Sequence, residues 1–95
     1  MSQLTVSHEG RVTVLTMTGT DAGNRITQVM AEELSAALDA VRCDASRTGC
    51  VLTGQGNAFC LGGDYHSAGA GVTGRLDFAR AHIELFNAMA RLGKP

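Results

Sequence analysis

The sequence predicts an α/β fold, in the order hairpin, helix, parallel strand, glycine-rich loop, helix. Three observations carry that prediction. β-Branched residues flank the segment His8-Glu9-Gly10-Arg11. Apolar residues then recur every three or four positions after Thr27, and a short unbroken apolar run, Cys50-Val51-Leu52-Thr53, follows. Alternating strand and helix signals of this kind favour a helix crossing over between parallel strands.

Leu4–Val6 and Val12–Met17 read as the two arms of a β-hairpin, with Gly10 supplying the turn. Residues 18–25 (TGTDAGNR) have the Gly, Asp and Asn content of a loop. A helix is expected over 28–42. Thr27 is its candidate N-cap, Glu32 and Glu33 lie toward its positive end and Arg42 at its negative end. Met30, Leu34, Ala37, Leu38 and Val41 form its core-facing stripe. After the polar stretch 44–48, a strand of the buried parallel type is expected over 49–53.

Between Gly54 and Gly74 the chain is dense in glycine, a composition that is either mobile or shaped around something. Residues 65–74 bury little and are expected to be poorly anchored without ligand. A second helix is expected over 75–92, with Leu76, Ala79, Ile83, Phe86, Met89 and Ala90 as its apolar face. Gly93 is the candidate C′ residue and Pro95 the stop.

Ninety-five residues make a single small domain, and one of this size buries only about 60–65% of its unfolded surface. Aromatic residues are 4% of the chain, so large core anchors are few. The net charge of −1 with scattered Lys and Arg excludes a nucleic-acid footprint. Cys43, Cys50 and Cys60 are odd in number and lack Cys-x-x-Cys spacing, which predicts free thiols in a reducing cytoplasm. The separated His8, His66 and His82 give no zinc pattern, and no apolar run could span a bilayer.

The chemistry lies in Thr53–Tyr65 (TGQGNAFCLGGDY), where a strand ends, glycines expose the backbone and Asp64 follows. Without a β-carbon, Gly62 and Gly63 allow a ligand to approach backbone N–H groups. Such a group can donate to a carbonyl oxygen that gains negative charge. Asp64 is expected to cap a turn or helix, and Cys60 to act as a small hydrophobe. A dinucleotide-binding reading of Gly54-Gln55-Gly56-Asn57-Ala58-Phe59 fails because Phe59 occupies the third-glycine position and no helix opens there.

Two motifs in order, Asn24-x-Ile26-Thr27…Met30…Glu33-Leu34…Ala37-Leu38 and Val51-Leu52-Thr53-Gly54-x-Gly56-x-Ala58-Phe59-Cys60-x-Gly62-Gly63-Asp64, resemble the opening of the enoyl-CoA hydratase/isomerase (crotonase) family. Even Gly93-Lys94-Pro95 resembles the Lys-Pro that introduces that family's next strand. The resemblance implies the N-terminal part of a crotonase-like ββα spiral fold, an incomplete domain over 1–95. It implies enolate chemistry on a CoA thioester, with coenzyme A as part of the substrate and no tightly bound cofactor. The Gly63 N–H matches the first half of the oxyanion hole, and the carbonyls of Leu61 and Gly63 match positions beside the CoA adenine. Tyr65 and His66 match a stretch lining the acyl or pantetheine channel. Arg25 stands where the family has a small residue, beside the turn that approaches the CoA phosphates, and could pair with one.

The family's second oxyanion donor and its acid/base carboxylates match nothing up to Pro95. Glu84 is the one carboxylate in range, and it is expected to be solvated. The resemblance thus implies a binding part that is inactive alone and a homo-oligomer, trimer or hexamer. The competing reading is a non-catalytic module binding acyl-CoA or a longer relative. The polypeptide is expected to continue past Pro95, since the second helix and the 49–53 strand both lack partners.

Overall fold

A computed structural model describes residues 2–19 and 21–95. Two strands, β1 (Leu4–Glu9) and β2 (Val12–Met17), form the antiparallel hairpin around Gly10, whose φ of +60° suits a residue without a β-carbon. Helix α1 (Gln28–Cys43) then crosses to β3 (Gly49–Gly54), which pairs in parallel with β2 and gives the sheet order β1-β2-β3. Helix α2 (Gly71–Ala90) follows a single turn of 3-10 helix at Tyr65–Ser67.

Alternation along β2 turns Thr13, Leu15 and Met17 inward, where Leu15 and Met17 meet Met30, Ala31, Leu34 and Leu38 of α1. The expected cap is present: Thr27 Oγ1 accepts from the Met30 N–H at 3.1 Å. Glu33 lies past the first turn and instead ties down the start of the chain, accepting from Gln3 N at 2.8 Å and Ser2 Oγ at 2.6 Å. At the other end, Lys94 Nζ donates to the Val41 and Asp44 carbonyls at 2.6 and 2.8 Å, a cation placed on the negative pole of α1. This positions Pro95 beside β3, and its carbonyl accepts from Cys50 N at 2.9 Å.

Helix α2 departs from expectation in two ways. It begins at Gly71 rather than at residue 75 and ends at Ala90, so Gly93 (φ +71°) lies one residue beyond the C′ position. The early start follows from packing: a β-carbon on Gly74 would run into the Gly69 backbone, so the glycine is required by close approach despite its poor helix propensity. The stretch 65–74 therefore contains two helical elements rather than a featureless loop.

The buried face of α2 is also different. Phe78, Ala81, Leu85 and Ala88 are buried, with Leu92 packed beside the core. Leu76, Ala79, Ile83, Phe86, Met89 and Ala90, the expected stripe, are exposed, Phe86 at 60%. Both stripes repeat at three and four residues, so α2 is apolar on two sides and periodicity does not choose between them. β3 is an edge strand with Val51 half exposed, not buried on both faces.

All three cysteines are free. Among the described residues no helix is long and apolar enough to cross a membrane, and no cluster of three metal-ligating side chains occurs.

Candidate functional site

Residues far apart in sequence meet where the loop before α1 runs beside the glycine-rich loop. Leu61 N–H donates to the Gly23 carbonyl at 2.9 Å, Ile26 N–H to the Gly62 carbonyl at 2.9 Å, and Asp64 N–H to the Ile26 carbonyl at 2.8 Å. These bonds form a short parallel bridge between Ile26 and Gly63. In a parallel bridge one residue supplies both bonds, here Ile26, so the N–H and C=O of Gly63 point to the opposite side. The expected oxyanion donor is thus a backbone N–H fixed in direction by its neighbours and turned away from the ladder.

Asn24 holds this arrangement together. It is the single non-glycine residue with positive φ (+50°) among the described residues, and it is 2% exposed. Its Nδ2 donates to the Gln55 and Ala58 carbonyls at 2.9 and 2.8 Å, and its Oδ1 accepts from Gly19 N at 3.2 Å. One amide side chain therefore ties the 18–25 loop to the loop that follows β3. Gly54 completes the fit, because a β-carbon there would collide with the Phe59 carbonyl and stand 2.7 Å from Asn24 Nδ2. The sequence motifs included Asn24 and Gly54, yet nothing local revealed these contacts.

Of the expected site residues, Arg25, Leu61 and Gly63 are brought together by the bridge. Leu61 is 63% exposed over Gly23, where an added β-carbon would meet its Cδ1 at 2.8 Å. Arg25 pairs with Asp21 at 2.9 Å on the surface. This hydrogen bond holds the Asp21 carboxyl below its ordinary range. Tyr65 and His66 lie in the 3-10 turn; Tyr65 is 77% exposed, with its ring 5.7 Å from that of Phe78. The Asp64 side chain makes no capping bond. Its backbone carbonyl does that work, accepting from Ser67 N and Oγ at 3.1 and 2.7 Å. The segment after β3 leads into this bridge and not into a helix, which removes the dinucleotide-binding reading.

No local signal in the sequence marks His82 as part of the site. Its ring lies 4.3 Å from Phe78 and its Nδ1 is 2.9 Å from the Phe78 carbonyl. Its Nε2 is buried without a hydrogen-bond partner and stands 3.4 Å from the point a β-carbon on Gly63 would occupy.

The family model for enoyl-CoA hydratase/isomerase matches residues 7–95. The chain belongs to the enoyl-CoA hydratase/isomerase family. A Mycobacterium tuberculosis protein described as a probable enoyl-CoA hydratase is 36% identical over 67 residues, 70% of this chain and 26% of that protein. Among solved structures, an enoyl-CoA hydratase/isomerase from Mycobacterium paratuberculosis superposes with a TM-score of 0.84 at 25% identity. The match covers 98% of this chain and 39% of the other. An enoyl-CoA hydratase/carnithine racemase from Magnetospirillum magneticum, at 20% identity, shows the shared fold alone, with a TM-score of 0.86 over all of this chain and 37% of its own. The crotonase fold is therefore established, while the chain spans about a quarter of the curated relatives it matches.

Proposed function

We propose that this chain is the CoA-thioester-binding part of an enoyl-CoA hydratase/isomerase-type enzyme, with the Gly63 N–H receiving the thioester carbonyl. The observation that carries the reading is the Ile26–Gly63 bridge, which leaves that N–H facing away from its own ladder. When a proton is gained or lost at the carbon next to the thioester, charge gathers on the carbonyl oxygen. A donor already aimed at that oxygen stabilises the enolate without reorganising, and losing one typically costs about 2.7–4 kcal/mol of transition-state stabilisation.

The proton-transferring carboxylates of the reaction belong to sequence outside these 95 residues. Several of the nine acidic side chains here are occupied: Asp21 with Arg25, Asp39 with Arg91 and Arg42, Asp44 with Arg47, and Glu33 with Ser2 and Gln3. Glu84 is exposed. Arg25 serves a CoA phosphate in this reading, and to do so it exchanges its Asp21 partner for a dianion, a stronger acceptor for a guanidinium fork. Calorimetric titration with acetyl-CoA should show saturable binding, while the purified chain should leave crotonyl-CoA unhydrated. A folded chain with no affinity for acetyl-CoA removes the binding function, and measurable hydration shows that the site is complete without further residues.

A further inference from the structure

His82 carries chemistry that the proposed function leaves unused. The Phe78 carbonyl can only accept, so the neighbouring Nδ1 carries the proton and donates at 2.9 Å. In the neutral ring that leaves Nε2 as a bare acceptor. A buried acceptor without a partner is costly and uncommon. This one lies on the side of Gly63 where any other residue would carry its side chain, 3.4 Å from that point. Since a β-carbon lies about 2.5 Å from its own amide nitrogen, Nε2 is within about 6 Å of the Gly63 nitrogen.

We propose that His82 is a substrate-positioning residue whose Nε2 accepts a hydrogen bond from an O–H on the third carbon of the acyl chain. This rests on a thioester carbonyl being held at the Gly63 N–H. In a 3-hydroxyacyl thioester four bonds separate the hydroxyl and carbonyl oxygens, which lie about 3–4.5 Å apart according to the staggered rotamer adopted. A ligand held by its carbonyl at Gly63 therefore brings its hydroxyl within reach of an acceptor at this separation. No atom is transferred by His82; it orients the oxygen that hydration adds and dehydration removes. Phe78 and Tyr65 supply the apolar wall beside it. Nε2 is enclosed, so a hydroxyl reaches it only once the side chains around it give way.

The test compares 3-hydroxybutyryl-CoA with butyryl-CoA, titrated into the 95-residue chain and two variants. The parent chain should bind the hydroxylated thioester about five- to tenfold more tightly, the yield of one hydrogen bond. His82→Phe, which keeps the ring and loses the acceptor, should abolish that preference while leaving butyryl-CoA affinity unchanged. His82→Gln, which returns an acceptor to the Nε2 position, should restore part of it, and it keeps the test open if the Phe variant fails to fold. Equal binding of both thioesters by the parent overturns the inference alone. A loss of both affinities in His82→Phe assigns His82 a structural role and overturns it too. If neither thioester binds the folded parent, the Gly63 reading falls and takes the inference with it.

Discussion

Replacing Asn24 by alanine is the sharpest test of how the site is built. The change removes three side-chain hydrogen bonds, at 2.8, 2.9 and 3.2 Å, from a residue that is 2% exposed. At roughly 1 kcal/mol net for each bond, the loss is about 3 kcal/mol. Alanine must also adopt the φ of +50° that asparagine tolerates, which adds about 1 kcal/mol or more. The expected total is about 3–5 kcal/mol, against a whole-chain stability of about 5–14 kcal/mol for a domain of this length. In urea, with a slope of about 1.5 kcal/mol/M, the unfolding midpoint should fall by roughly 2–3 M. Asn24→Gly separates the two causes, since it keeps the backbone freedom and loses only the bonds. Asn24→Asp should also be strongly destabilised at neutral pH, because a carboxylate would face the Gln55 and Ala58 carbonyls where two N–H donors now stand. An alanine variant unfolding within about 0.5 M of the parent would refute the role assigned to this side chain.

Two further outcomes follow from the same geometry. Gly54→Ala should be destabilised by about 3 kcal/mol or more, since its β-carbon has backbone oxygens in its way, whereas Gly63→Ala should stay within about 1 kcal/mol, its nearest neighbours standing at 3.4 and 3.5 Å; equal urea midpoints for the two would contradict the structure. The Arg91 guanidinium, bonded to both oxygens of Asp39 at 2.9 and 3.0 Å, joins α2 to α1 and holds the Asp39 carboxyl below its ordinary value. A lowered folded pKa adds stability that is present above the unfolded value near 3.9 and is lost as pH falls through the folded one. The gap in stability between the parent and Asp39→Asn should therefore close on acidification below about pH 4, and a gap unchanged between pH 7 and pH 2 would show that the pair contributes nothing through its charge.

The parts of the fold read correctly from sequence are those whose signals are local. The hairpin turn needs Gly10 at positive φ, and α1 carries both its Thr27 cap and one unambiguous apolar stripe. The face of α2 was misread because that helix has two stripes of equal period, and the choice depends on which one α1 meets. Similarly, Gly71–Gly74 looks like loop until Gly74 is seen against the Gly69 backbone. The site divides the same way. The glycine pair stood out as exposed backbone, but the direction of the Gly63 N–H depends on Ile26, thirty-seven positions away, and was legible only by family resemblance. The Asn24 and His82 contacts are long-range and leave no local mark. Leu76, Ile83 and Phe86 leave the second apolar side of α2 exposed.

The central claim is that the Gly63 N–H is the hydrogen-bond donor for a thioester carbonyl. The most direct measurement follows the backbone amide resonances of the 15N-labelled chain during titration with acetyl-CoA, with free CoA as the control. The account predicts that the Gly63 amide proton moves downfield with acetyl-CoA, as a newly bonded N–H does, and shifts far less with free CoA, which lacks the carbonyl. Saturating binding of acetyl-CoA that leaves the Gly63 amide where it began would contradict it.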